Sequence, residues 1–375
     1  MAEVTGFPNP PRLIDSTLRD GEQAPGVAFS RNEKVIISCL LDQLGLTELE
    51  VGIPAMGSEE VDLIREIASL ELNCKLTGWC RARRDDIDRA AQAGLERVHL
   101  SFPVSESHLG AIGKDRKWLF SSLKPLIEYA RESFGFIAVG ALDGSRTDRI
   151  VLEDFACMAF EYGADRLRIA DTVGILNPMQ TWELIHGLHE LIPDLELEFH
   201  GHNDLGMATA NTISALSAGA GSASVTVNGL GERAGNAPLE EVAMAMQITL
   251  KMDPGIRTVN LAGVCSKVAR FAGRPIPAAK PLTGAMVFTH ESGIHCHGLL
   301  KDPHTYQPFL PEQIGRTGSR LVIGKHSGSA VLRHLLKEEG IERNDDEIAV
   351  LLQRVRSLAM VKKGSLSMDE LRMLL

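Results

Sequence analysis

The sequence predicts an α/β protein: a (β/α)8 barrel followed by a mostly helical C-terminal appendage. Three observations carry that expectation. Short apolar strands alternate with amphipathic helices eight times in about 250 residues. The first strand is followed by "STLRDGEQ" with no GxGxxG loop, which disfavours an open dinucleotide-binding sheet. Polar residues also gather at the same end of strand after strand, as they do on the catalytic face of a barrel.

The expected strands are "RLIDST", "ELEVGI", "CKLTGW", "RVHLSF", "FIAVGAL", "RLRIAD", "LELEFHGH" and "ASVTVNG". Helical patterns follow at about 31–45, 58–70, 84–93, 116–133, 148–162, 179–191, 206–219 and 237–250. Ser30 with Glu33 has capping-box spacing, and Pro178 suits a first helical turn. Gly45, Gly94, Gly163 and Gly219 stand where left-handed caps end helices. The barrel is expected over 10–255. The linker and helical subdomain, with a lid or dimerisation role, are expected over 256–375, and "RPIPAAKPL" (274–282) reads as extended.

Composition narrows the function classes. The 375 residues are 44% hydrophobic and 23% charged, as in an ordinary soluble domain. A net charge of −10 argues against general nucleic-acid binding, and no apolar run is long enough to span a bilayer. The start "MAEVTGFPNPPRLID" has neither a basic nor an apolar leader region. Six scattered cysteines without a CxxC pair suit a reducing, cytoplasmic compartment.

"FHGHND" (199–204) places His200 and His202 two apart at the end of strand seven, on one face. Asp20, with Arg19, follows strand one. Asp171 and Thr172 follow strand six, Asn228 and Asn236 strand eight, Arg146 strand five and Arg81 strand three. One carboxylate and two imidazoles form a mixed O/N set suited to divalent Mn, Mg, Zn, Co or Fe, with positions open for the carboxylate and ketone of a 2-oxo acid. Each residue alone has a plainer reading: a hydrogen-bonded strand end for His-x-His, a cap for Asp20, Thr172 or Asn236, a surface role for Arg146. Their joint placement on one barrel face favours the site.

Longer motifs add a resemblance. "DSTLRDGEQAPGVAFS", "ADTVG", "HGHNDLGMATANT", "NGLGERAGNAPLEE", "FTHESGIHCHGLLKDPHTY" and "GKHSG" resemble the 2-isopropylmalate synthase and homocitrate synthase family of the DRE-TIM metallolyases, over about residues 12–330. "ELEVGIPAMGSEE", "GWCR", "SFPVS" and "RLRIADTVGI" look most like the homocitrate synthases of nitrogen-fixing bacteria. About 45 residues follow "GKHSG", too few for the leucine-sensing domain usual in isopropylmalate synthases.

The resemblance implies Claisen-type condensation of acetyl-CoA with 2-oxoglutarate, then thioester hydrolysis to homocitrate and CoA. The alternative is 2-isopropylmalate or citramalate synthesis from 2-oxoisovalerate or pyruvate. It implies a divalent metal (Mg, Mn, Zn or Co) on Asp20, His200 and His202, with Asn236 beside it. It makes Arg19 the stabiliser of the developing alkoxide and places Gln23, Thr172 and Arg146 on the substrate side. It assigns His295 and Tyr306, from a partner's appendage in a homodimer with a shared site, to acetyl-CoA chemistry, with His290 and Glu291 as weaker candidates. Leu142 stands where the family usually has glutamate, and Ala138 where lysine-pathway members have an arginine that reads the distal carboxylate; Arg81 is the expected substitute. The strand-eight segment "LGERAGN" lacks the cysteine-bearing loop of the hydroxymethylglutaryl-CoA lyases, which disfavours C–C cleavage. An intact Arg-Asp pair, His-x-His and His295 disfavour a non-catalytic paralogue.

Overall fold

The computed structural model describes residues 10–375; the first nine residues, where a leader was sought, lie outside the described residues. Eight parallel strands close into a barrel in chain order: β1 (Arg12–Asp15), β2 (Glu48–Gly52), β3 (Lys75–Arg81), β4 (Arg97–Pro103), β5 (Phe136–Leu142), β6 (Arg166–Asp171), β7 (Glu196–Gly201) and β8 (Ser222–Val225). Closure is made by β8 against β1, with Leu13 opposite Ala223 and Asp15 opposite Val225.

The helices around it are α1 (Arg31–Leu44), α2 (Ser58–Ala68), α3 (Arg84–Gln92), α4 (Glu106–Ala111), α5 (Arg116–Arg131), α6 (Arg149–Glu161), α7 (Pro178–Leu191), α8 (Ala208–Ser217) and α9 (Leu239–Ala245). Ser30 and Glu33 form the expected capping box, and Asn177 with Gln180 forms another in front of Pro178. Gly45, Gly94, Gly163 and Gly219 all have positive φ, the conformation a left-handed cap requires. Helix α4 was not foreseen. Ser105 accepts a hydrogen bond from the His108 N–H and starts this single extra turn and a half before α5.

The chain divides into two compact units between Pro275 and Ile276. Helix α10 (Leu261–Phe271) stays with the barrel, although the strand–helix alternation has ended before it. Its buried face is Leu261, Val264, Cys265 and Val268, and the Cys265 carbonyl accepts from Asn228 Nδ2 at 2.8 Å. The expected boundary at 255/256 and this division differ by the segment that holds α10.

The second unit has its own core. Val331, Leu332, Leu335 and Leu336 of α12 (Ser329–Glu338) pack with Ile348, Leu351, Leu352 and Val355 of α13 (Asp345–Lys362). It also holds α11 (Gly293–Leu299), the short α14 (Met368–Arg372), and two-residue strands β9 (Thr289–His290) and β10 (Arg320–Leu321), which pair in parallel. All six cysteines are free thiols. Among the described residues no helix is long and apolar enough to cross a membrane.

The barrel interior is charged rather than filled with branched aliphatics. Arg166 binds Glu48 at 2.6 Å and lies 3.0 Å from Glu198; Glu198 binds Arg168 at 2.7 Å; Arg168 binds Glu50 at 2.9 Å; Glu50 binds Arg19 at 2.5 Å. All six are buried. Each charge has an opposite partner, the condition under which buried ions are tolerated. The ladder ends at the C-terminal mouth of the barrel.

Asp15 is buried without a cation. Burial pushes its carboxyl up to about 7; hydrogen bonds from Thr17 oppose the shift, and Glu240 and Glu50 add to it. The folded state therefore prefers the protonated acid, and its stabilising contribution is lost as pH rises through 7. Thermal stability is expected to fall between about pH 4 and pH 7 and to level off above, Asp15 contributing about 1.4 kcal/mol per pH unit across that window. In Asp15→Asn this part of the pH dependence disappears; a melting profile with an unchanged dependence contradicts the assignment.

Candidate active site

The site is assembled by the turns that leave β1, β7 and β8. After β1 the chain reverses tightly: Ser16 N–H donates to the Val225 carbonyl, and Gly21 N–H to the Ser16 carbonyl. Thr17 Oγ1 accepts from Val227 N–H at 2.8 Å, tying the ends of β1 and β8 together. This turn presents Arg19 and Asp20 side by side.

His200 on β7 and His202, just past its end, point the same way, as residues two apart in extended chain do. Their rings are 5.0 Å apart and nearly perpendicular, and their Nε2 atoms are 3.3 Å apart. Asp20 Oδ2 lies 3.1 Å from His200 Nε2 and 3.9 Å from His202 Nε2. Among the described residues this is the one group whose donor atoms could hold a metal ion, all within 4.8 Å of one another and all three residues buried.

Asn236 is brought in by the strand-eight loop. The loop folds back so that Asn236 and His202 form an antiparallel bridge, with Asn203 N–H on the Gly235 carbonyl and Ala237 N–H on the Gly201 carbonyl. Gly235 has φ 86°, and a Cβ there would sit 1.9 Å from the Gly229 carbonyl oxygen. Gly235→Ala is therefore expected to displace the loop, lowering metal affinity by about 10- to 100-fold, the usual cost of disturbing groups that support ligands. Unchanged affinity by metal titration contradicts that role for the loop.

The electrostatics suit a divalent cation. Burial opposes ionisation of Asp20, but the Arg19 guanidinium and the two imidazoles outweigh it and hold the carboxyl well below the usual range. Burial, and then the neighbouring His200, push His202 down to about 4. At neutral pH Asp20 is a carboxylate and His202 an unprotonated imidazole, the ionisation state metal binding needs. Asp20 Oδ2 and Asn236 Oδ1 are buried with no hydrogen-bond donor, while Asn236 Nδ2 is used on the Leu230 carbonyl at 2.9 Å. Unpaired buried oxygens are costly unless a cation or ligand meets them, so these residues fit a metal.

Arg19 is held from behind. Its Nε donates to Glu50, its Nη1 lies 3.5 Å from Asp20 Oδ2, and its guanidinium lies 5.6 Å from the Trp79 ring centre. Gln23 lines, with Arg19, a cavity of about 720 Å³ between the loop after β1, the end of β2, α1 and α2. Thr172 follows β6, beside β7. Its hydroxyl accepts from Asp143 N–H at 2.8 Å and its carbonyl accepts from Arg233, which also grips Asp204.

Two expected substrate cations each carry an ion pair within the chain. Arg81 lies bidentate on Asp86 at 2.8 Å for both bonds, with 56% of its side chain exposed. Arg146 is held by Asp143, which also accepts from Ser105 and contacts His108. In the second unit, His295 and Tyr306 stack on each other with ring centres 4.1 Å apart, and a Cβ at Gly298 would press on the Tyr306 ring at 2.8 Å. Gln307, nearly buried, lies 3.1 Å from His290 Nε2, and Glu291 accepts from His326 N–H at 3.2 Å.

Sequence reasoning missed Glu50, Trp79 and His99. His99 is fully enclosed; burial and then Arg168 hold it neutral, its Nδ1 has no hydrogen-bond partner, and a Cβ at Gly140 would lie 2.4 Å from its Nε2. The available signal was charge at alternate positions: Glu48/Glu50, Arg166/Arg168 and Glu196/Glu198 each stand two apart on a strand.

Comparison with known proteins agrees with this architecture. The profile of the HMGL-like family matches residues 10–268, and that of the homocitrate synthase post-HMGL domain-like family matches 282–363. The chain is 44% identical over 363 residues to 2-isopropylmalate synthase 2 of Caldanaerobacter subterraneus subsp. tengcongensis, covering 96% of this chain and 94% of that protein. It is 46% identical over 361 residues to homocitrate synthase 1 of a Nostoc species, covering 96% and 95%. It is 41% identical over 360 residues to the 2-phosphonomethylmalate synthase of Streptomyces rubellomurinus, covering 96% of each. The chain is thus an enzyme of the acyltransferase type and belongs to the HMGL-like family, in the branch that holds the 2-isopropylmalate and homocitrate synthases.

Proposed function

We propose that the enzyme joins the methyl carbon of acetyl-CoA to the ketone carbon of 2-oxoglutarate and hydrolyses the thioester, with homocitrate and CoA as products. The observation that carries this reading is the buried Asp20–His200–His202 cluster with the Arg19 guanidinium against it. A divalent ion held there would supply Lewis-acid polarisation of the ketone. Arg19, fixed by Glu50, faces the oxygen on which negative charge develops. Asn236, bridged to His202, and Thr172, after β6, are assigned to the substrate side, with Gln23 on the approach past Arg19. His295, stacked on Tyr306, is the base proposed to remove the methyl proton, acting from the partner subunit of a homodimer. Attack of the enolate forms the C–C bond, and water then takes the acyl group from sulfur. The product would serve nitrogenase iron–molybdenum cofactor assembly in the cytoplasm.

One observation favours a second reading. Arg81 and Arg146 are tied to Asp86 and Asp143, and Arg168 is shared by Glu50 and Glu198. A 2-oxo acid without a distal carboxylate, 2-oxoisovalerate or pyruvate, needs none of them, and would make the enzyme a 2-isopropylmalate or citramalate synthase. CoA release, followed with a thiol reagent, is to be measured with each of the three acids. Homocitrate synthesis predicts the highest kcat/KM with 2-oxoglutarate and a selective loss for that acid in Arg81→Ala. Preference for a monocarboxylate overturns the choice of substrate.

A further inference from the structure

Tyr306 and Gln307 are neighbours in sequence that face opposite ways. Tyr306 is 39% exposed and stacks on His295, whereas Gln307 is 4% exposed and turns inward to β9 and β10. Its Nε2 meets two acceptors. One is the hydroxyl of Ser319, just before β10; the other is Nε2 of His290 on β9, at 3.1 Å. An amide nitrogen only donates, so His290 Nε2 accepts and the imidazole proton sits on Nδ1. Burial, and then His295, hold His290 below its ordinary range, which keeps it neutral at pH 7.

His290 stands five residues before His295, and Gln307 one residue after Tyr306. One buried amide therefore ties together the two chain segments that carry the stacked pair. Gln307 Oε1, by contrast, is buried with no donor. A buried amide oxygen without a partner costs stability, so packing alone would be better served by an apolar side chain of the same length. Packing here is already supplied by Phe309, whose ring meets Phe288 edge-on with centres 5.8 Å apart. What the amide contributes is its two donors.

We infer that Gln307 is a positioning residue for proton removal: by donating to His290 and Ser319 it fixes where Tyr306 stands against His295. The inference rests on the role of His295 proposed above.

Two substitutions separate a tether from a filler. Gln307→Met keeps the length and removes both donors. Gln307→Glu keeps the shape and reverses the polarity, so that the Ser319 hydroxyl and a His290 Nε2–H both donate to the carboxylate. A tether predicts that kcat, followed as CoA release, falls about ten-fold or more in Gln307→Met, with the melting temperature retained and KM for both substrates within about two-fold of wild type. It also predicts that Gln307→Glu recovers most of that loss. A filler predicts the opposite order, because methionine suits a buried site and a carboxylate does not. Glutamate no better than methionine, or kcat within about two-fold of wild type in both variants, overturns the inference.

A second measurement needs no substitution at Gln307. Nitrogen NMR of isotope-labelled histidine in the wild-type protein is expected to show His290 protonated at Nδ1; protonation at Nε2 overturns the tether. His295→Ala, assayed in parallel, keeps the two claims apart. An inactive His295→Ala beside a fully active Gln307→Met defeats the inference and leaves the function standing. A fully active His295→Ala defeats the choice of base, and the inference with it.

Discussion

Asp20→Asn and His202→Ala are expected to purify without stoichiometric divalent metal and to lose condensation activity together. Asp20 Oδ2 is the one carboxylate oxygen facing both imidazoles, at 3.1 and 3.9 Å, and it has no hydrogen-bond donor to fall back on. Disturbing a group that only supports a metal ligand costs about 10- to 100-fold in affinity. Removing a ligand from a three-residue set is expected to cost more than about 100-fold. Metal analysis by mass spectrometry, run beside the thiol assay, checks this. Full activity in a metal-depleted variant contradicts the ligand assignment. Asp20→Asn is the sharper of the two, because it keeps the side-chain shape while removing the charge that the Arg19 guanidinium stabilises.

The second large effect is expected at Arg19. Lysine there keeps a positive charge but loses the Nε donor to Glu50 and the planar group near the Trp79 ring. Removing one donor from a developing oxyanion costs about 10²- to 10³-fold in kcat. Arg19→Lys is therefore expected to lower kcat by that order, with metal content intact and a much smaller change in KM for the 2-oxo acid. Glu50→Gln tests the support from below. It frees Arg19 and leaves Arg168 half-compensated, so kcat falls in the same direction, and stability falls by about 3–5 kcal/mol, the cost of breaking a buried ion pair. A variant with normal kcat in either case shows that Arg19 does not act on the reacting oxygen.

The barrel was legible because strand and helix periods alternate eight times and because glycine and capping residues mark the ends. Asp20, His200 and His202 were legible because strand ends in a closed barrel converge, whatever their distance in sequence. Other features were hidden for physical reasons. An arginine after a strand can be read, but the carboxylate that captures it cannot: Asp86 lies five residues beyond Arg81, and Asp143 three before Arg146. Segments such as "ELE" and "RLR" can be read as strands, but not which way their charged face points; it turns inward, because each charge meets its opposite on another strand. Gly140 gave no sign of its role until His99 was seen beside it on the neighbouring strand. The two-residue strands β9 and β10 are too short to leave a periodic pattern.

The most direct test is equilibrium binding of 2-oxoglutarate to chelator-treated protein, before and after one equivalent of Mn²⁺ is restored. If the Asp20–His200–His202 cluster is a metal centre that receives the 2-oxo acid, binding is absent in the stripped protein, appears at one acid per chain with the metal, and stays absent in Asp20→Asn. Binding of equal affinity with and without metal would contradict that account.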